Sequence, residues 1–237
     1  MRSPVAGGRS VAQPCAECAV RPFAICAALE PAEMQQLEQL GHHVHFRPGQ
    51  AVFAQDAAAG FCYILLEGVV RLYKLLPDGR RQIVGFALAG DFIGVAAGER
   101  HGFSADAVGP VVVCRFARDL FTRFAALKPN LLRRINEFEA GELNRARDQM
   151  VLLGRRSAEE KVAVFLVCWR DRLARLGQAA AAVPLPMGRL DIADYLGLTV
   201  ETVSRTFTKL ERDGVIEILP GRVRLLDAVR VEAIAAA

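Results

Sequence analysis

Three cysteines lie close together near the start of the chain, Cys15-x2-Cys18-x7-Cys26, and a fourth, Cys114, stands far away in the apolar run Val111-Val112-Val113-Cys114. Three clustered thiols with a distant fourth can hold a [4Fe–4S] cube, one thiolate on each iron. The same side chains would satisfy tetrahedral zinc, or serve without metal as thiol redox sensors, and their spacing leaves all three open. Cys62, behind Phe61 in an apolar strand, and Cys168, on the helical run Val162 to Trp169, read as core residues, since free cysteine is often buried. His42, His43, His45 and His101 form no ligand constellation and read as surface or structural residues. No nucleophile–base pair or His/Glu metal cluster is evident, so an enzyme is not expected.

A second set of chemistry-bearing residues lies near the other end. Leu190 to Leu196 has the pattern of a short helix ended by Gly197, and Thr199 is placed to cap the helix that follows. There Val203, Phe207 and Leu210 recur at i, i+4 and i+7 and must face inward. The opposite stripe is Glu201, Ser204, Arg205 and Thr208, with Thr199 and Thr202 at the helix start. Arg205 can donate two hydrogen bonds to guanine O6 and N7, and Glu201 can accept from cytosine N4. Asp213-Gly214 then turns into Val215 to Leu219, Pro220-Gly221 and Val223 to Leu226, a two-stranded wing whose Arg222 and Arg224 could reach phosphates. The pattern predicts a winged helix-turn-helix that places its second helix in the DNA major groove. Between Pro184 and Leu226 six basic residues balance six acidic ones, so binding depends on local placement rather than on a general basic field.

These two sites need elements to position them. Residues 1–14, rich in Gly, Ser, Pro and Ala, read as disordered, and Pro31 to Leu40 as a short amphipathic helix with Met34, Leu37 and Leu40 on one side. From Val44 to Phe116 short β-rich runs alternate with turns at Pro48-Gly49, Glu67-Gly68, Asp78-Gly79, Gly90-Asp91 and Gly109-Pro110, the pattern of a sandwich or barrel. Leu131 to Leu153 is a long helix. Leu132, Glu139, Leu143, Ala146 and Met150 form a narrow stripe on it that suits pairing with a twin helix, and Glu139 would place like charges across the two-fold axis. Ser157-x-x-Glu160 is a capping box opening another helix, and Gln178 to Pro186 reads as an Ala/Pro-rich connector. The expected division is 1–30 for the cysteine segment, 31–130 for the β-domain, 131–155 for the dimerisation helix and 156–237 for the DNA-binding domain. At 237 residues the chain can give two domains a core each. The net charge of +4 permits a nucleic-acid partner without requiring one. No run approaches a membrane span and no apolar leader is present, which points to the cytoplasm and to reduced cysteines.

Leu196-Gly197-Leu198-Thr199-Val200-Glu201-Thr202-Val203-Ser204-Arg205 resembles the recognition helix of the Fnr branch of the Crp/Fnr superfamily, whose Glu-x-x-Ser-Arg signature falls on Glu201, Ser204 and Arg205. Tyr63 to Leu72, Gly85-Phe86 and Gly90-Asp91-Phe92 resemble the superfamily's β-roll. The resemblance implies an α+β fold: an N-terminal cyclic-nucleotide-binding-like jelly roll, a long dimerisation helix and a C-terminal winged helix. It implies a homodimer on a palindromic double-stranded DNA site of the TTGAT-N4-ATCAA kind, and contact with RNA polymerase through the loop around Pro77 to Arg80. Members that bind cyclic nucleotides carry Gly-Glu-x-Ala and then Arg-Ser/Thr-Ala. Here Gly94-Val95-Ala96-Ala97 and Phe103-Ser104-Ala105 put Val and Phe in the polar places, so no cyclic nucleotide is expected, because a buried phosphate would lack its guanidinium. The cysteine pattern is similar to the Fnr oxygen sensors, and its x7 gap to the FnrN and FixK-like subgroup. That implies a [4Fe–4S] cluster on Cys15, Cys18, Cys26 and Cys114, and a Cys15 to Cys26 segment displaced or disordered when no cluster holds it.

Overall fold

The computed structural model describes residues 15–95 and 98–237; the expected disorder of residues 1–14, and Ala96 and Ala97 of the Gly94 stretch, lie outside the described residues. Three short 3-10 turns, Cys15–Glu17, Arg21–Phe23 and Ile25–Ala28, lead into α1 (Pro31–Leu40). Pro31 suits the first helical position, and Glu30 and Glu33 close a reciprocal cap with each other's backbone. Met34 and Leu37 are buried beneath it.

Eight strands follow: β1 (Gly41–Phe46), β2 (Ala51–Phe53), β3 (Phe61–Glu67), β4 (Val70–Leu75), β5 (Arg81–Ala87), β6 (Phe92–Ile93), β7 (Ser104–Ala107) and β8 (Val111–Ala117). They form two antiparallel four-stranded sheets, ordered β1-β8-β3-β6 and β2-β7-β4-β5. Their inner faces enclose Tyr63, Leu65, Val70, Ala87, Ile93, Ala105, Val111 and Val113. This is the expected roll. Gly68, at φ 87°, turns β3 into β4 where any Cβ would sit 2.3 Å from the Pro110 carbonyl oxygen; glycine alone fits both demands.

Helix α2 (Arg118–Ala126) joins the roll to α3 (Pro129–Arg155), which begins two residues ahead of the expected Leu131 because Pro129 serves as its first residue. The chain breaks at extended Arg156 and restarts as α4 (Ala158–Arg175), where Ser157 and Glu160 form the predicted capping box. Then come β9 (Val183–Pro184), α5 (Arg189–Leu196), α6 (Val200–Arg212), β10 (Ile216–Leu219), β11 (Arg222–Leu225) and α7 (Ala228–Ala236).

Several expectations are corrected. The Ala/Pro-rich connector contains β9, which pairs with β11 and makes the wing three-stranded, β10-β11-β9. The Trp169 Nε1–H donates to the Pro184 carbonyl at 2.8 Å and fixes that strand from below. Cys168 is exposed rather than buried, because it lies on the outer side of α4 next to buried Trp169. Beside the roll's own core, Val69, Ile83, Phe86 and Leu88 of the roll pack in one apolar cluster with Trp169, Ile192, Leu196 and Phe207 of the C-terminal part, so the two domains share a packed seam. The Cys15–Ala28 segment is folded against the roll instead of displaced. Ala24, Ile25 and Leu29 are buried there.

Candidate functional site

The thiols come together at one corner. Strand β8 carries Cys114 between His43 of β1 and Ile64 of β3. The 3-10 turns bring Cys15, Cys18 and Cys26 over it, since backbone bonds from Cys18 to Cys15 and from Leu29 to Cys26 fold the segment back on itself. Burial pushes the Cys15 thiol up to about 11, helped by Glu38 and Cys18. Burial pushes Cys26 up to about 12, helped by Cys18 and Cys15. Cys114 is raised as well, by burial first and then by Cys15, Cys18 and Cys26. Cys15, Cys18 and Cys26 therefore lie close enough to the distant Cys114 for the four to influence one another. As free thiols Cys15, Cys26 and Cys114 hold their protons at neutral pH, so a metal bound there must displace those protons. Among the described residues no three His, Cys, Asp or Glu side chains are grouped to hold a single metal ion. Cys62, buried 4.0 Å from the Phe116 carbonyl, is a core residue as expected. Of the histidines, His101 stacks on Phe53 at 4.0 Å and His42 accepts from Arg115.

Cys26 lies in an apolar cluster with Ile25, Leu37, Phe116, Phe121 and Leu131, and Cys15, Cys114, Ile135 and Phe138 pack against it. Leu131, Ile135 and Phe138 are one face of α3, so the thiol corner rests on the root of the long helix. The other face of α3 carries the expected stripe: Leu132, Glu139, Leu143, Ala146 and Met150 are all exposed in the single chain.

The second site is built locally. Gly197 ends α5 in the left-handed conformation at φ 61°, and its N–H returns to the Ala193 carbonyl. Thr199 caps α6, its hydroxyl accepting from the Thr202 N–H at 3.1 Å. Val203, Phe207 and Leu210 are buried, while Glu201, Arg205 and Thr208 are exposed and Ser204 and Thr202 half-buried. A backbone hydrogen bond at its own N–H, then the Thr199 hydroxyl and the Arg205 charge, hold the Glu201 carboxyl below the usual range. It therefore faces solvent as a carboxylate beside a guanidinium. One of the two expected phosphate contacts is modified. Arg224 is paired with Glu217 across the wing, and Arg222 is left exposed on β11. Arg189 lies 3.4 Å over the Phe207 ring and belongs to the head's core.

Residues 43–127 match the cyclic nucleotide-binding domain family, and residues 185–216 match the bacterial regulatory proteins of the crp family. The chain is 61% identical over 223 residues to the nitrogen fixation regulation protein FixK of Bradyrhizobium diazoefficiens, covering 94% of each. The chain belongs to the Crp/Fnr family of transcription regulators. It is 60% identical to the transcriptional activatory protein AadR of Rhodopseudomonas palustris, over 93% of this chain and 92% of that one. The solved structure of FixK2 from Bradyrhizobium japonicum superposes with a TM-score of 0.78 at 37% identity, covering 83% of this chain and 98% of that chain. This Crp/Fnr chain is thus a DNA-binding regulator and not an enzyme, and among its described residues no helix is long and apolar enough to cross a membrane.

Sequence reasoning missed the seam between roll and head. Arg71 and Arg81 of the roll reach Asp191 and Asp194 of α5. In sequence, Asp191 looks like an ordinary acidic residue in a first helical turn. The one available signal was Arg71, a charge inside the apolar run Val69 to Leu72.

Proposed function

We propose that this regulator is an oxygen-responsive transcription activator that binds a palindromic TTGAT-N4-ATCAA-like site as a homodimer and senses through a [4Fe–4S] cluster. The carrying observation is that one apolar cluster joins Cys15, Cys26 and Cys114 to Leu131, Ile135 and Phe138 of α3. The donor set fits the group: four thiols at one corner, one for each iron. Bound there, the cluster would supply an oxygen-labile redox centre. The rest is the chain's own work. Cys15, Cys18 and Cys26 hold the N-terminal turns on Cys114 of β8, and those turns brace the inner face of α3. The bracing biases the exposed stripe from Leu132 to Met150 towards a partner's matching stripe, provided the two states differ in free energy. Pairing would set the two α6 helices about one DNA turn apart, roughly 34 Å, with Glu201, Ser204 and Arg205 on each half-site.

Activation is carried over from the AadR relative's description, and the FixK relative's makes nitrogen fixation the target class we favour. The exposed turn from Pro77 to Arg80 is the surface we assign to RNA polymerase. No cyclic nucleotide is needed: Phe103 packs on Phe53 in the roll, and the Ser104 hydroxyl accepts from the Gln55 N–H at 2.9 Å. Work on DNA places the protein in the cytoplasm.

The test is anaerobic purification with iron and sulfide analysis, followed by operator binding before and after exposure to air. Iron and sulfide in equal amounts, with binding lost in air, are expected for the parent. Cys114→Ser should lack iron and bind alike in both atmospheres. An iron-free parent that binds equally well with and without air ends the cluster reading and leaves the DNA-binding family assignment intact.

A further inference from the structure

The seam between roll and head is ionic as well as apolar. Asp191, 7% exposed on α5, accepts from Arg71 at 3.0 and 3.2 Å and from Arg81 at 2.7 Å. Asp194, one turn further along, accepts from the Nε–H of Arg81 at 2.9 Å and from its NH2 group at 2.7 Å. The Gln82 side-chain amide donates to the Asp194 backbone carbonyl at 2.5 Å. Asp106 of β7 lies 3.5 Å from Arg71 and steadies that guanidinium on the roll side. These donors come from β4 and β5 and their acceptors from α5, while Arg172 of α4 donates in the opposite direction, to the Phe86 carbonyl at 2.7 Å and the Asp91 carboxylate at 2.6 Å. Gln149 of α3 adds a further donor, bonding to the Tyr195 carbonyl at 2.7 Å, and Phe86 packs on Tyr195 at 5.5 Å.

Two consequences follow from the placement. Asp191 and Asp194 belong to the set of acidic residues that makes the head formally neutral, and both are matched by arginines from outside the head. A docked head therefore presents DNA with two fewer uncompensated negative charges than an undocked one. The contact also uses α5 and leaves Glu201, Arg205 and Thr208 of α6 exposed, so docking and DNA reading do not compete. A charge-paired seam also fixes the direction of approach, since guanidinium–carboxylate pairs are geometrically demanding.

We infer that Arg71 and Arg81 are positioning residues for DNA recognition: by pairing with Asp191 and Asp194 they dock the reading head on its own roll in the orientation that binds DNA and offset its acidic charge. This rests on the operator-binding reading above.

The experiment uses the full chain, its variants Arg81→Asp and Asp194→Arg, and the exchanged pair carrying both. Deuterium uptake across α5 reports docking without DNA, and fluorescence anisotropy on the palindromic duplex reports binding. Each single variant should speed α5 exchange. If docking then falls to a tenth of the population, apparent operator affinity falls about tenfold, with the dimer constant unchanged. The exchanged pair, which restores opposite charges in reversed order, should recover both readouts. Single variants with parental exchange and parental affinity would overturn the inference, as would an exchanged pair no better than either single change. Should the parent fail on the palindrome, the operator reading falls, and α5 exchange in the same variants still decides the docking.

Discussion

The reading head and the thiol corner are two ways of building a site. In the head every part lies within a few turns of its partner: the Gly197 stop, the Thr199 cap, the buried triad Val203, Phe207 and Leu210, and the exposed Glu201 and Arg205. The corner joins Cys15 to Cys114 across almost a hundred residues, and its fourth member is set by strand register in β8. A locally built site is fixed by short-range rules and changes little with the state of the protein. A site assembled at long range is fixed by packing, so it can couple to whatever it packs on, here the root of α3. That difference suits one region to reading and the other to control.

The largest expected effect separates them cleanly. Arg205→Ala removes an exposed guanidinium from α6 and touches no core contact. Each half-site should lose about 1–3 kcal/mol of base discrimination, and the loss applies twice on a two-fold operator. Anisotropy titrations should therefore show binding weakened by orders of magnitude at an unchanged melting temperature. A fall in melting temperature of several degrees would make Arg205 structural and remove the contrast.

Ile25→Ala probes the corner by the opposite route. Ile25 is 1% exposed, between two of the cysteines and against the root of α3. The cavity should cost about 2–5 kcal/mol of stability, read by chemical denaturation. If the corner controls α3, dimerisation should weaken as well, while Arg205 and its neighbours stay in place. A large stability loss with an unaltered dimer constant would uncouple corner from helix.

The same contrast explains what could be read from the chain before folding. The α6 stripe, the capping box at Ser157, helix α1 and the roll's turns obey local rules, and the structure reproduces them. The two-residue strand β9 was hidden because its pairing with β11 depends on a tertiary partner, and its composition reads as connector. Cys168 was misjudged because a helical run this apolar does not reveal which side faces out, and the neighbouring Trp169 takes the buried place. The seam of Arg71 and Arg81 with Asp191 and Asp194 joins residues more than a hundred positions apart, and no periodicity encodes it.

Glu139→Leu bears on the link between the two regions. Glu139 is exposed among the apolar residues of the α3 stripe, and on a two-fold axis it would meet its own copy. Replacing it should tighten the dimer, by about 1–2 kcal/mol if most of the new leucine is covered. The effect should be greatest in air, where the corner no longer braces α3. Sedimentation equilibrium of the aerobic protein measures it. An unchanged constant would move the interface off this stripe.

Thr199→Ala gives the smallest effect and tests how local the head is. The Thr199 hydroxyl satisfies the Thr202 N–H at 3.1 Å, and its loss leaves an unpaired donor where solvent can reach it. The expected cost is about 1 kcal/mol. If α6 is as self-contained as its caps suggest, the damage should stay in its first turn, where Glu201 loses its hydroxyl neighbour and leans more on Arg205. Operator affinity should then fall several-fold while the dimer constant and the air response remain parental. A change in air response would mean that strain in α6 travels back across the α5 seam to the roll, and the division between a reading region and a controlling one would have to be redrawn at β4 and β5.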